Sequence, residues 1–353
     1  MKLNLNKEIK IPTAALGIST IPQSRRLLVS CFDGSVVLVD PDKESLVPLG
    51  THSSYASGVM SVLDGRMAVS AGYDGILQWH DIESQKTVTV EKAHDFWSWQ
   101  LKASNNGKLV ASTTGQYLSG GYKYEPAPEK EPSIKVYDTE TTKLIASFSH
   151  LPPVLSVAFS PDNRFLAAAN MMGDIRVWDL ESKELLNEWN TPDFTSWGII
   201  KSHHYIGGIF DLSFAPDGKT ILACGMGPMR DPMAGNGKQT WQEFDWQKPE
   251  PEKIREILDD ERGRGLMETL SWHPDNKSFC MAGRMAQGNW NTALFAHETG
   301  QILVGIDNKT RVTKSVFTED GNQLILAGTK SQGAPEKGKW KDFGRLYIYD
   351  VVP

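Results

Sequence analysis

The sequence predicts an all-β fold, a seven-bladed β-propeller of four-stranded antiparallel blades closed by its own N-terminal strand. Three observations predict it. Four short apolar runs separated by turn residues fit inside Leu151–Trp189, that pattern returns six more times, and the chain starts with a spare alternating segment where its last copy lacks a strand.

The template stretch reads LPPVLSVAFSPDNRFLAAANMMGDIRVWDLESKELLNEW. Its runs are Val154–Phe159, Phe165–Ala169, Ile175–Trp178 and Glu184–Trp189, too short for independent helices and rich in β-branched and aromatic residues. Pro161-Asp162-Asn163, Met172-Gly173-Asp174 and Glu181-Ser182-Lys183 separate them, each a composition that supplies preset or left-handed backbone angles. One such sheet cannot bury both of its apolar faces, so it requires neighbours of the same kind.

SVAFSPDN followed by GDIRVWDLES resembles a WD40 repeat, with Trp178-Asp179 as the namesake dipeptide. The other copies run in order. Ala14–Leu49 holds LLVSCFDGSVVLVDPDKESLVPL, and Ser57–Glu91 places His80-Asp81 at the Trp-Asp position. A third begins at Trp97 and carries Tyr137-Asp138; the fifth carries Phe244-Asp245, the sixth Ala296-His297 and the seventh Tyr349-Asp350. The expected blades are therefore 12–50, 55–92, 96–149, 152–190, 207–258, 265–307 and 311–350, the last completed by 2–10. The segment KLNLNKEIK alternates apolar and polar residues and is expected to pair as the outer strand of the last blade, burying Leu3, Leu5 and Ile9. The resemblance also implies a His–Ser–Asp–Trp hydrogen-bond network in each repeat. Only the second copy approaches it, with His52, Ser70 and Asp74, and there His80 replaces the Trp. Apolar packing on both faces of each sheet is expected to carry the blades instead, which suits runs such as FLAAA and LILAG.

Composition narrows the function. A net charge of −6, from 43 acidic and 37 basic residues, argues against a nucleic-acid binder working by phosphate neutralisation. Cys31, Cys224 and Cys280 fall in second strands, far apart, with no metal-ligand spacing. The first residues lack the apolar core of a signal peptide, and no apolar run is long enough to span a membrane, so a soluble, cytoplasmic protein without a membrane partner is expected. No GxSxG, HExxH, Walker loop or strand-linked GxGxxG is present, and His203-His204 with Asp193 or Asp211 is an unconvincing metal set. No cofactor, metal or catalytic residue is implied.

Departures in length point to a binding face. Gln116–Pro132, Met226–Lys238 and Lys330–Asp342 lie between second and third strands, and Asn190–Ile206 lies between copies. In a propeller these connections share one face, and long loops on a rigid scaffold collect binding residues. That rim carries Phe96, Trp97, Tyr122, Trp197, Tyr205, Trp290 and Trp340, with Arg230, Arg262, Arg264, Arg284 and Arg311. Trp, Tyr and Arg are the residues enriched at binding hot spots. Trp99, Trp178, Trp246 and Trp272 fall within expected strands and are assigned to the core. The expected function is a non-catalytic interaction scaffold whose partner is a protein or peptide carrying an acidic segment. The alternative is a propeller enzyme, or a module for a small ligand or peptide, with its site at the mouth of the central channel on the same face. Convergent carboxylates and histidines at that mouth would favour the enzyme; an aromatic and arginine surface would favour the scaffold.

Overall fold

The first strands of successive sheets pack against one another all the way round, the seventh against the first, and so wall a central channel. The computed structural model describes residues 1–118, 125–126, 128–197, 205–227, 237–330 and 343–352. Blades 1 to 4 begin at Ala15–Thr20, Ala56–Val62, Leu101–Ala103 and Val154–Phe159, and blades 5 to 7 at Tyr205–Phe214, Arg264–Trp272 and Thr310–Phe317. Each continues outward through three more antiparallel strands, which gives the seven four-stranded blades expected from the repeats. Blade 5 has one strand more than expected. Within the swollen connection, Thr195–Trp197 pairs with Tyr205–Gly207, ahead of the part of that strand that enters the blade.

Among the described residues the apolar core is not central but divided into seven clusters, one between each pair of adjacent blades. The cause is strand geometry. Successive side chains point to opposite faces, so Leu166 and Ala168 join the cluster shared with blade 3 while Ala167 and Ala169 join that shared with blade 5. Leu27, Val29 and Cys31 face blade 7, and Leu28 faces blade 2. Continuous apolar runs are what two covered faces demand. All three cysteines are buried free thiols in second strands, and burial pushes Cys31 and Cys280 up to about 12.

Lys2–Ile11 pairs antiparallel with Gly344–Val352 and closes the ring. A bulge at Asn6 changes which face the side chains take. Leu3 packs with the blade 6 side, whereas Ile9 and Ile11 are buried against blade 1. Leu5, expected to be buried, is 53% exposed, because it lies next to that reversal. Asn6 donates from Nδ2 to the Asp350 carboxylate at 2.8 Å, and Glu8 accepts from Lys330 and Arg345, both at 2.8 Å.

The aspartates of the namesake position shape the turns before the outer strands. Asp40, Asp81, Asp138 and Asp179 each accept from a backbone N–H two or three residues on, as in Ser84 to Asp81 at 2.7 Å. In blade 2 the expected network forms. His52 Nδ1 meets Asp74 at 3.0 Å, while Ser70 Oγ lies 2.8 Å from both His52 Nε2 and His80 Nε2.

Candidate functional site: an aromatic channel mouth

The upper face is the one where first strands begin and second strands end. Thr113, Asn190, Met226 and Lys330, the last strand residues before the four expanded segments, all stand at this end. Most of Met226–Lys238 and Lys330–Asp342, and the middle of Gln116–Pro132 and of Asn190–Ile206, lie outside the described residues.

Two turns project aromatic rings here. Cys31-Phe32-Asp33-Gly34 and Gly72-Tyr73-Asp74-Gly75 occupy equivalent places in blades 1 and 2. In each, the glycine adopts a positive φ, +90° at Gly34 and +73° at Gly75. A Cβ at Gly75 would lie 2.1 Å from the carbonyl oxygen of His94, so only glycine fits. The ring-bearing residue is then fixed to the start of its own blade: Phe32 N–H donates to Ala14 O at 2.9 Å, and Tyr73 N–H to Tyr55 O at 2.8 Å.

The rings join into a ladder over blades 1 to 3. Phe32 stacks on Tyr55 with centroids 4.0 Å apart, Tyr55 meets Tyr73 at 5.3 Å, Tyr73 stacks on Trp97 at 4.8 Å, and Trp97 stacks on Phe96 at 4.8 Å. Trp99 sets its edge against both Tyr73 and Trp97 at 5.5 Å. Phe32 is 41% exposed, Tyr55 38% and Trp97 41%.

The ladder borders a cavity of about 970 Å³ at the channel mouth, to which all seven blades contribute. Six innermost strands carry a β-bulge whose extra residue is Leu16, Ser57, Leu155, Phe210, Glu268 or Thr313, and every one of the six lines this cavity. A bulge re-aims a side chain, and here it turns them toward the axis. Blades 6 and 7 add charged groups to the wall of the cavity. Arg311 donates in a fork to Glu268 at 2.7 and 2.8 Å, and Lys330 reaches Glu8 at 2.8 Å. Burial raises the Tyr73 phenol above its usual value, partly offset by Arg311.

Of the rim residues expected from sequence, the structure brings Phe96 and Trp97 into the ladder and Arg311 to the cavity. Arg262 instead folds onto Asp259, donating from Nε at 2.6 Å. Arg264 is half-buried and Arg284 exposed on blade 6; neither lines the cavity. Trp290 departs from the expected rim: it is 4% exposed, packs in the core between blades 5 and 6, and donates to Glu261 O at 3.0 Å. Tyr122, Arg230 and Trp340 lie outside the described residues, as do His203 and His204. Trp197 and Tyr205 are described as paired backbone only. Trp99, assigned to the core, is half-buried and lines the cavity, because its blade's first strand begins only at Leu101. Trp178 and Trp246 are buried as assigned, and Trp272 is half-buried at the end of its strand.

Sequence reasoning missed Phe32, Tyr55 and Tyr73. The signal was present in two of them as an aromatic residue directly before Asp-Gly. Among the described residues no group of three or more His, Cys, Asp or Glu is placed to hold a metal, and no helix is long and apolar enough to cross a membrane.

Residues 142–179 match the family described as WD domain, G-beta repeat. That match runs from the outer strand of blade 3 to the third strand of blade 4, so the sequence repeat is offset from the blade by one strand. The chain is a seven-bladed propeller that carries a WD repeat. The offset explains the closure, since a whole number of such repeats leaves the last blade to be completed from the other terminus. The chain is similar to WD repeat-containing protein VIP3 of Arabidopsis thaliana, 28% identical over 46% of this chain and 51% of that protein. It resembles Target of rapamycin complex subunit LST8 of Saccharomyces cerevisiae, 30% identical over 33% of this chain and 34% of that one. A longer alignment, 22% identical over 81% of this chain, joins it to WD repeat and HMG-box DNA-binding protein 1 of Mus musculus, of which it spans 27%. The chain thus spans about half or less of the length of these relatives.

Proposed function

We propose that this propeller is a non-catalytic scaffold that docks a protein partner on its upper face, with the aromatic ladder as anchor. The observation that carries the reading is the unbroken contact of Phe32, Tyr55, Tyr73, Trp97 and Phe96 across three blades, with wide rings left exposed on turns and connections of the upper face. Exposed contiguous aromatic surface rimmed by polar groups is a mark of an interaction site, and rings already held in place lose little entropy on binding. A relative named as a complex subunit supports the same reading. Protein rather than nucleic acid is the proposed partner, since the cations at the mouth are already engaged by carboxylates and the chain is net acidic.

The test is retention of partners from native extract by the wild type, by Tyr55→Ala with Trp97→Ala, and by Leu186→Ala on the outer edge of blade 4. Each anchor should contribute about 2 kcal/mol, roughly thirtyfold in affinity. The double variant should lose the partners that both other proteins retain, with its melting temperature nearly unchanged. Equal retention by all three would place docking elsewhere.

A further inference from the structure

Beneath the mouth lies a knot of charge that docking on the aromatic ladder does not use. Asp211, fully buried, sits 3.2 Å from Lys102 Nζ and 3.3 Å from Lys314 Nζ. It also accepts from Gln100 Nε2 at 3.1 Å and from the backbone N–H of Leu270 at 3.0 Å. Asp211 belongs to blade 5, whereas Lys102 and Gln100 come from blade 3 and Lys314 from blade 7. Blades 3, 5 and 7 are not neighbours, so these contacts cross the axis. Gln100 and Lys314 also line the cavity, which makes the knot its floor.

The charges do not balance. At the rim Arg311 is matched by Glu268 and Lys330 shares Glu8 with Arg345, and at the floor two lysines share one carboxylate. At the floor one positive charge is left over from Lys102, Lys314 and Asp211, under walls formed by Phe32, Tyr55, Trp99 and Phe210. Burial lowers the Lys314 pKa, with Lys102 acting in the same direction and Asp211 against it. An ammonium held in partly apolar surroundings without its own counterion is costly, and an arriving anion offsets that cost.

We propose that the floor of the mouth is an anion subsite that receives an acidic side chain of the docked polypeptide, carried beside an aromatic or aliphatic residue that fills the apolar wall. The subsite rests on the docking reading above and adds to it the chemistry of the segment that enters. Lys314 meets the carboxylate of that segment at the floor, while Arg311 and Lys330 at the rim stay paired with Glu268 and Glu8.

Selection of random displayed peptides on the immobilised propeller tests this. Peptides whose binding requires Trp97 should carry Asp or Glu next to a large apolar residue. Changing that acid to its amide should weaken binding to the wild type by about tenfold or more, most strongly at low salt. Lys314→Met should bind acid and amide peptides alike, whereas Trp97→Ala should weaken both. Selected peptides that need Trp97 but bind equally as acid and amide would overturn the subsite and leave docking intact. Displacement by millimolar inorganic phosphate, whatever the peptide's charge, would make the floor a small-anion site and overturn the proposal too. Failure to select any Trp97-dependent peptide would remove both readings. The acid-to-amide comparison uses the unmodified protein, so it holds even if Lys314→Met folds poorly.

Discussion

His80, His94 and His150 are sealed between blades, and burial depresses their pKa values, to about 4 for His80 and about 3 for the other two. The charge of His52 adds to the effect at His80, those of Lys135 and Lys92 at His94, and that of Arg176 at His150. The unfolded chain therefore takes up protons below about pH 6.5 that the folded chain refuses. Stability that these residues permit above that pH is lost as pH falls toward 4, by on the order of 1 kcal/mol per histidine per pH unit. Thermal unfolding at intervals between pH 7 and pH 5 should show a steady fall in melting temperature, shallower in His150→Leu. A flat profile over that window would contradict neutral burial of these rings.

The decisive element is the closing strand. Its residues bury Ile9 and Ile11 against blade 1, complete the blade 7 sheet, and bring Glu8 to Lys330 and Arg345. Burying two isoleucines is worth about 3–6 kcal/mol, and the paired edge would otherwise present open backbone groups to other chains. Deleting residues 1–11 should lower the melting temperature markedly and give aggregates by light scattering. An unchanged melting temperature in a monomeric truncated protein would show that the ring does not need this strand. The alternation of KLNLNKEIK made the strand legible, but the bulge at Asn6 was not, because nothing local distinguishes a bulged residue from a paired one. The strand between blades 4 and 5, Thr195–Trp197, was hidden for the same kind of reason: three residues are too few to carry a period.

For the molecule as a whole, stability and docking should separate. Burial alone would raise the Asp211 carboxyl, but Lys102, Lys314 and the Leu270 N–H hold it below its usual value. A depressed carboxylate contributes stability at neutral pH that is lost as pH drops below about 4. Asp211→Ala leaves two half-buried ammonium groups facing each other and should cost about 1–3 kcal/mol in denaturant unfolding at neutral pH, loosening non-adjacent blades together. Loss within experimental error would mean that the knot does not brace the ring. Tyr55→Ala and Trp97→Ala, whose rings lie on connections between blades at the upper face, should leave the same unfolding curve nearly in place.

The ring was written in the sequence because each blade is specified locally. Apolar alternation on both faces of Phe165–Asn170, the Asp-Gly turns, and a spare strand set against a missing one follow from short-range rules of backbone geometry and burial. The site was only partly written there. Phe96, Trp97 and Arg311 could be placed on a face by counting strands, but their spacing could not show which rings would touch. Phe32, Tyr55 and Tyr73 come from two blades, and Lys102, Asp211 and Lys314 from three that are not neighbours. Closure of the ring brings them together, and six bulges turn side chains into the mouth. Contacts that depend on how a ring closes belong to no single stretch of chain, so only the tertiary structure could decide them.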